Sequence, residues 1–173
     1  LMVIYPQMTE YVLRQLDACD AADVAALQHI LEAAPAYGVT VSGALPSSSA
    51  AQEMFEALPP AKSAADKFVF EIRSQAGAIG CVDFVRGYPE ARTAFIGLLL
   101  LVETAQGQSH GPQVLRLLEA MATEWGCSVM RIAVIETNTR ALAFWRREGF
   151  VELYRKASAG FTGAAIVMER AVG

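Results

Sequence analysis

Residues 95–102 form an unbroken apolar run, Phe-Ile-Gly-Leu-Leu-Leu-Leu-Val, and the first charge after it is Glu103. Its length and aliphatic content predict a strand buried on both faces. Further on the period changes. Val114, Leu117, Leu118, Met121, Ala122 and Trp125 recur at three- and four-residue steps, which predicts a helix with one face packed on a core. Pro112 is expected at the first helical position and Gly126 just past the end. Residues 106–111, Gln-Gly-Gln-Ser-His-Gly, are then a loop that opens a helix. A strand-like segment follows at 128–135, and Asn138 is placed to cap a helix that Gly149 ends.

The remaining elements read similarly. Residues 11–16 predict a first strand, and Asp20 or Asp23 offers a cap for a helix through Leu27, Ile30 and Leu31. Residues 37–44 lead into Ser47-Ser48-Ser49, a cap for a second helix that stops before Pro59-Pro60. In 67–74, Phe68, Phe70 and Ile72 alternate with Val69, Glu71 and Arg73. Together with 79–85 across Ala76-Gly77-Ala78 this predicts a hairpin. A turn at Gly87-Tyr88-Pro89-Glu90 returns the chain into the apolar strand, and closing strands are expected at 152–156 and 164–170. This order gives an α/β fold with a mixed sheet.

Composition narrows the class. A chain of 173 residues with 54% hydrophobic content can bury one sizeable core, so a single domain over 1–173 is expected. No apolar run approaches the roughly 20 residues that span a bilayer, and the first residues lack the basic start and small-residue cleavage site of a signal peptide. A cytoplasmic protein with no membrane partner is the expectation. A net charge of −4 and a pI near 5.2 argue against a nucleic-acid partner, which needs a basic face. Cys19, Cys81 and Cys127 are odd in number and form no CxxC pair, so neither a metal site nor a disulfide framework is expected.

The chemistry is concentrated in the loop. A helix start leaves backbone N–H groups unpartnered and carries the positive end of the dipole, which suits a phosphate without any lysine. Glycines let the backbone come close to such a ligand. The later block carries a more specific signal, Asn138-x-x-Ala141-x-x-x-Trp145-x-Arg147-x-Gly149-Phe150. It resembles the last conserved block of the GNAT superfamily, the acyl-coenzyme-A-dependent N-acyltransferases. Gln106-x-x-Ser109-x-Gly111 then aligns with that family's pyrophosphate loop, Arg/Gln-x-x-Gly-x-Gly/Ala. The close resemblance runs from 68 to 150, and the amino-terminal third is the family's variable region.

The resemblance implies a mainly antiparallel mixed sheet flanked by helices, with a splayed strand pair that admits the pantetheine arm like an added strand. Leu99 and Leu101 would offer backbone groups to pantetheine and thioester. Gln106, Gly107, Gln108, Ser109, His110 and Gly111 would hold the pyrophosphate through their amides, with Asn138 beside them as cap and cofactor neighbour. Two departures stand out. Ser109 replaces the family's first glycine, and its Cβ narrows the allowed backbone. Pro112 removes an N–H from the cradle.

The resemblance further implies direct transfer of an acetyl group from acetyl-CoA to a primary amine in a ternary complex, without a metal or a covalent enzyme intermediate. The alternative is a non-catalytic CoA-binding or sensor domain. An alkyl ammonium with a pKa of about 10 must first lose its proton, and Glu136, Asp83 and Glu103 are the candidate bases. Tyr37 and Tyr88 are candidates for the acceptor wall. Trp145 stands where many relatives protonate the leaving thiolate from a tyrosine. An indole is no acid near neutral pH, although its N–H donates a hydrogen bond. Positioning and a backbone oxyanion contact are expected to sustain the rate. Arg146 and Arg147 are expected on a solvated helix face, and His110 in solvent. The acceptor is a small-molecule amine or a protein amino group, the acidic charge slightly favours cations, and the apolar composition is compatible with a homodimer.

Overall fold

The alternating residues 67–85 fold as the expected hairpin, and the strands added to both sides of it make the sheet. The computed structural model describes residues 10–173. Its strands are β1 (Val12–Gln15), β2 (Lys67–Ser74), β3 (Gly77–Arg86), β4 (Thr93–Leu101), β5 (Val129–Ile135), β6 (Val151–Lys156) and β7 (Ala165–Ala171). Its helices are α1 (Ala21–Glu32), α2 (Pro35–Ser42), α3 (Ala50–Glu56), α4 (His110–Glu124) and α5 (Thr139–Arg147). The strands form one sheet in the order β1-β2-β3-β4-β5-β7-β6, antiparallel throughout except for the parallel pair β4 and β5.

Each face of the sheet carries its own core. Phe84, Ile96, Leu115, Leu118 and Phe150 belong to the cluster under α4 and α5. Leu27, Ile30, Val69, Cys81 and Leu100 belong to the cluster under α1 to α3. Of the two expected caps for α1, Asp20 accepts from the Ala22 amide at 2.8 Å. Asp23 instead pairs with Arg14 at 2.7 Å, and Arg14 also reaches the buried Glu71 at 3.1 Å, tying α1 to the first two strands. Asn138 caps α5 as expected by accepting from the Ala141 amide.

Two local readings are corrected. Helix α4 begins at His110, not at Pro112. Ser109 takes the left-handed conformation, φ 63°, and serves as the cap, so the helix starts earlier and Pro112 is its third residue. Residues 35–42 are a separate helix, α2, that the β-branched Val39, Thr40 and Val41 conceal. Pro35 stands at its first turn, and the Ala36 amide donates to Glu103 Oε1 at 2.9 Å. A distant side chain satisfies this helix start, which local sequence cannot announce.

One irregularity sets up the site. In the β3–β4 ladder Asp83 faces Leu98 and Phe84 faces Ile96, leaving Gly97 as an extra residue. Such a bulge bends its strand and inverts the side-chain alternation beyond it. Ile96 accordingly joins the α4–α5 core, whereas Leu98 and Leu100 lie against the opposite one. A Cβ on Gly97 would stand 2.8 Å from Asp83 Oδ2, so only glycine fits there. The parallel β4–β5 pairing runs from Thr93 and Val129 to Ile96 and Ile132 and ends at the bulge. Past it, β4 stays on β3 as far as Leu101 and β5 stays on β7 as far as Ile135. The sheet therefore splits.

Candidate active site

The split opens into a cavity of about 830 Å³. Leu98, Leu99, Leu101, Ala133 and Ile135 supply its strand walls. The first turns of α4 and α5 converge on it through Ser109, His110, Gly111, Asn138, Thr139 and Arg140. Tyr37, Thr40 and Val41 of α2 close its other end.

The backbone of β4 is poised for strand addition. The Val102 amide donates to Ile79 O at 2.9 Å. By the antiparallel alternation, the backbone groups of Leu100 also face β3, while those of Leu99 and Leu101 face the opening. The Leu101 carbonyl accepts from Gln106 Nε2 at 2.9 Å, which leaves Leu99 with both backbone groups toward the gap.

Positive φ values at Gly107 (73°) and Ser109 (63°) turn the loop after β4 into α4. For a serine this conformation costs about 1 to 2 kcal/mol, and the Ser109 side chain makes no capping hydrogen bond. With Pro112 in the first turn, the orphan amides of α4 are those of Ser109, His110 and Gly111. Gln106 spans the loop by also accepting from Arg140 Nη1 at 3.2 Å. Gln108 donates to Thr104 O at 2.7 Å and is not part of the cavity wall. His110 differs from expectation: its Nδ1 lies 2.7 Å from the hydroxyl of the buried Tyr11, which anchors the ring instead of leaving it in solvent. Gly111 permits a close approach of helices, since a Cβ there would sit 3.0 Å from the Phe144 ring. Two positive helix ends are thereby set beside one cavity.

Helix α2 crosses the split like a strap. At its start Glu103 accepts from Ala36 and its own amide donates to Ala33 O at 3.0 Å. At its end the Thr40 carbonyl accepts from Thr137 Oγ1 at 3.1 Å and Thr162 Oγ1 at 2.6 Å, and the Val41 carbonyl accepts from the Thr162 amide at 2.9 Å. Glu103, a candidate base by sequence, thus fastens α2.

The other candidates separate by position. Glu136 is turned away from the cavity: its Oε1 accepts from the Ala164 amide at 3.0 Å, and its Oε2 lies 3.4 Å from Arg155. A Cβ on Gly163 would meet its Cγ at 2.7 Å, so the carboxylate is packed into the loop before β7. Asp83 lies directly behind Gly97, with Oδ2 3.1 Å from Lys67 Nζ and Oδ1 buried without a partner. Both side chains are largely enclosed, at 14% and 5% exposure. Burial pushes the Asp83 carboxyl above the usual carboxylate range, and Lys67 only partly offsets it.

Tyr37 lines the cavity, and burial, with a smaller contribution from Cys81, raises its pKa, so its phenol stays neutral. Tyr88 does not reach the site. It packs edge-on against Phe95 with centroids 5.3 Å apart, at the end of β4 where the sheet is still closed. Trp145 borders the cavity but is 6% exposed, held edge-on between Phe144 and Phe150. Arg147 reaches the wall, against expectation, and Arg146 does not. Burial pushes the Cys81 thiol up to about 12, far from a reactive thiolate. Sequence reasoning overlooked Arg140 and Thr40. Arg140 had a signal, its place two residues after the Asn138 cap; Thr40 had none, because α2 is positioned by distant partners.

No curated protein matches the sequence. Among solved structures, an acetyltransferase from Thermus thermophilus superposes with a TM-score of 0.72 at 23% identity, covering 93% of this chain and 96% of that one. An aminoglycoside acetyltransferase in complex with coenzyme A has a TM-score of 0.70 at 18% identity, covering 93% and 94%. The spermidine N-acetyltransferase from Vibrio cholerae, in complex with CoA and spermine, has a TM-score of 0.65 at 14% identity, covering 94% and 96%. These likenesses establish the shared fold. Residues 47–150, more than half of the chain, match the acetyltransferase (GNAT) family, and with the split sheet and paired helix starts in place the chain belongs to that family.

Proposed function

We propose that this protein transfers an acetyl group from acetyl-CoA to a primary amine by direct attack in a ternary complex. The observation that carries the reading is the split between β4 and β5 with the starts of α4 and α5 beside it. The residues fit the cosubstrate. Leu99 has its backbone groups toward the gap and pairs with the pantetheine arm, with Leu101 next to it. The amides of Ser109, His110 and Gly111 take the pyrophosphate, where the glycine conformation at Gly107 and the Gly111 contact with Phe144 keep the approach open. Asn138 acts by fixing the start of α5. Gln106 holds Leu101 and Arg140 together, and Gln108 braces the loop.

The acceptor nitrogen attacks the thioester carbonyl, an N–C bond forms, the C–S bond breaks, and the nitrogen gives up a proton. To Asp83, which lies behind Gly97 with one oxygen unpartnered, we assign the acceptance of that proton. Glu136 holds the loop before β7, and Tyr88 serves the β3–β4 turn. Tyr37 borders the acceptor. Trp145 excludes water at the carbonyl and is no proton source for the thiolate. Both small-molecule amines and protein amino groups have relatives' chemistry behind them.

A calorimetric titration with acetyl-CoA tests the reading, with adenosine 3′,5′-bisphosphate as a fragment control. Saturable binding that falls at least about tenfold in Gly111→Val supports it. Unchanged binding in that variant sinks the cradle. Thiol release that depends on an added amine then tests the transfer.

A further inference from the structure

The acceptor end of the cavity, under α2, is bounded by Tyr37, Thr40, Val41, Leu98, Leu100 and Ile135. Among the described residues no aspartate or glutamate lines the cavity, whereas Arg140 and Arg147 do. Residues 1–9 contain no acidic side chain either. Three carboxylates lie off this wall: Asp83 behind Gly97, its Oδ2 on Lys67, Glu136 with the Ala164 amide and Arg155, and Glu103 with the Ala36 amide. Two apolar side chains are exposed near the strap, Val39 of α2 at 50% and Phe161, next to the anchor Thr162, at 47%.

We infer that the acceptor is a monoamine carried on an apolar body, an alkyl or arylalkyl amine, and that a second positive charge is rejected. This rests on the acetyl-transfer reading above. An ammonium entering this wall loses hydration, and beyond Asp83, which sits behind Gly97 and is shared with Lys67, it finds no counter-charge. For the reacting amine that loss is useful, because desolvation lowers its pKa and eases transfer of its proton to Asp83. A distal ammonium has no such outlet, because the carboxyl behind the wall serves the reacting amine. The overall charge of −4 therefore resides on the outer surface and does not extend to the acceptor end, contrary to the preference for cations that the net charge alone suggests.

The test compares n-pentylamine with 1,5-diaminopentane, equal in chain length and different by one ammonium. The readouts are kcat/KM by thiol release and calorimetric binding of each amine to the CoA-bound protein. The expected result is a preference of about 30-fold or more for the monoamine in both readouts, with phenethylamine at least as good. Thr40→Asp, an exposed position on the wall, brings a carboxylate to the acceptor end and narrows the preference about tenfold, while Thr40→Asn leaves it in place. A diamine that binds and reacts as well as the monoamine overturns the inference. So does a protein that binds acetyl-CoA but turns over neither pentylamine nor phenethylamine. Failure to bind acetyl-CoA at all is a different result, which removes the acetyl-transfer reading itself.

Discussion

The two halves of β4, Thr-Ala-Phe-Ile and four leucines, are both largely apolar and do opposite work. Residues 93–96 are hydrogen-bonded on both sides, to β3 and to β5, and Thr93, Ala94 and Ile96 are buried. Residues 98–101 are all leucine, yet they bond only β3, and Leu98, Leu99 and Leu101 are half-buried beside the cavity. The first half stores stability and the second keeps backbone groups available. A single extra residue, Gly97, separates them, so an unpaired backbone edge is made inside a sheet without any polar side chain.

The comparison breaks most severely at Ile96. Ile96→Ala is expected to destabilise the protein by about 3 kcal/mol, read as a lower Tm and denaturation midpoint, with acetyl-CoA affinity of the folded protein retained. A cost below about 1 kcal/mol would mean that the first half is not the structural one. Asp83→Asn addresses the bulge from the other side. It is expected to lower kcat/KM about 100-fold with little change in acetyl-CoA affinity. The sign of the pH effect follows from the base role: the carboxyl must be ionised to accept a proton, so activity rises with pH through its raised pKa, and the variant loses that acidic limb. An intact limb in Asp83→Asn would assign the base elsewhere.

Leu99→Pro removes one N–H that faces the gap and none that bonds β3. A proline there is expected to cost about tenfold in acetyl-CoA affinity, with a smaller loss of stability than Ile96→Ala. The reverse pattern, intact affinity and a collapsed Tm, would show that Leu99 belongs functionally with the first half. The smallest effect is expected at the strap. Thr162→Val removes the hydroxyl that donates to Thr40 O and keeps the Val41 hydrogen bond, costing about 1 kcal/mol or less. Faster hydrogen exchange confined to α2 is the accompanying signature.

Legibility followed the range of the interactions. The β2–β3 hairpin, β4, α4, α5 and β7 lie within one or two residues of their expected bounds, apart from the earlier start of α4, because alternation, helical spacing and the Asn138 cap are local signals. The loop 106–111 and the block after Asn138 likewise marked the two helix starts that converge on the cavity, since glycine conformations and a helix start are encoded where they act. Tyr88 and Glu136 were misplaced for one reason. A residue's element can be read from its neighbours, but the side of the sheet split on which its side chain ends cannot. Glu136 was claimed by Ala164 and Arg155, and Tyr88 by Phe95.

By itself the sequence determined the order of elements, the strand-to-helix loop and the capped helix that carries the family's last block, all consequences of short-range backbone preference and periodic burial. Only the tertiary structure decided that Gly97 bulges against Asp83, that β4 and β5 part there, that α2 is fastened across the opening by Glu103, Thr137 and Thr162, and that among the described residues no carboxylate lines the cavity. Each of these depends on pairings between residues far apart in the chain, whose register and facing are settled by packing and hydrogen-bond satisfaction across the whole sheet.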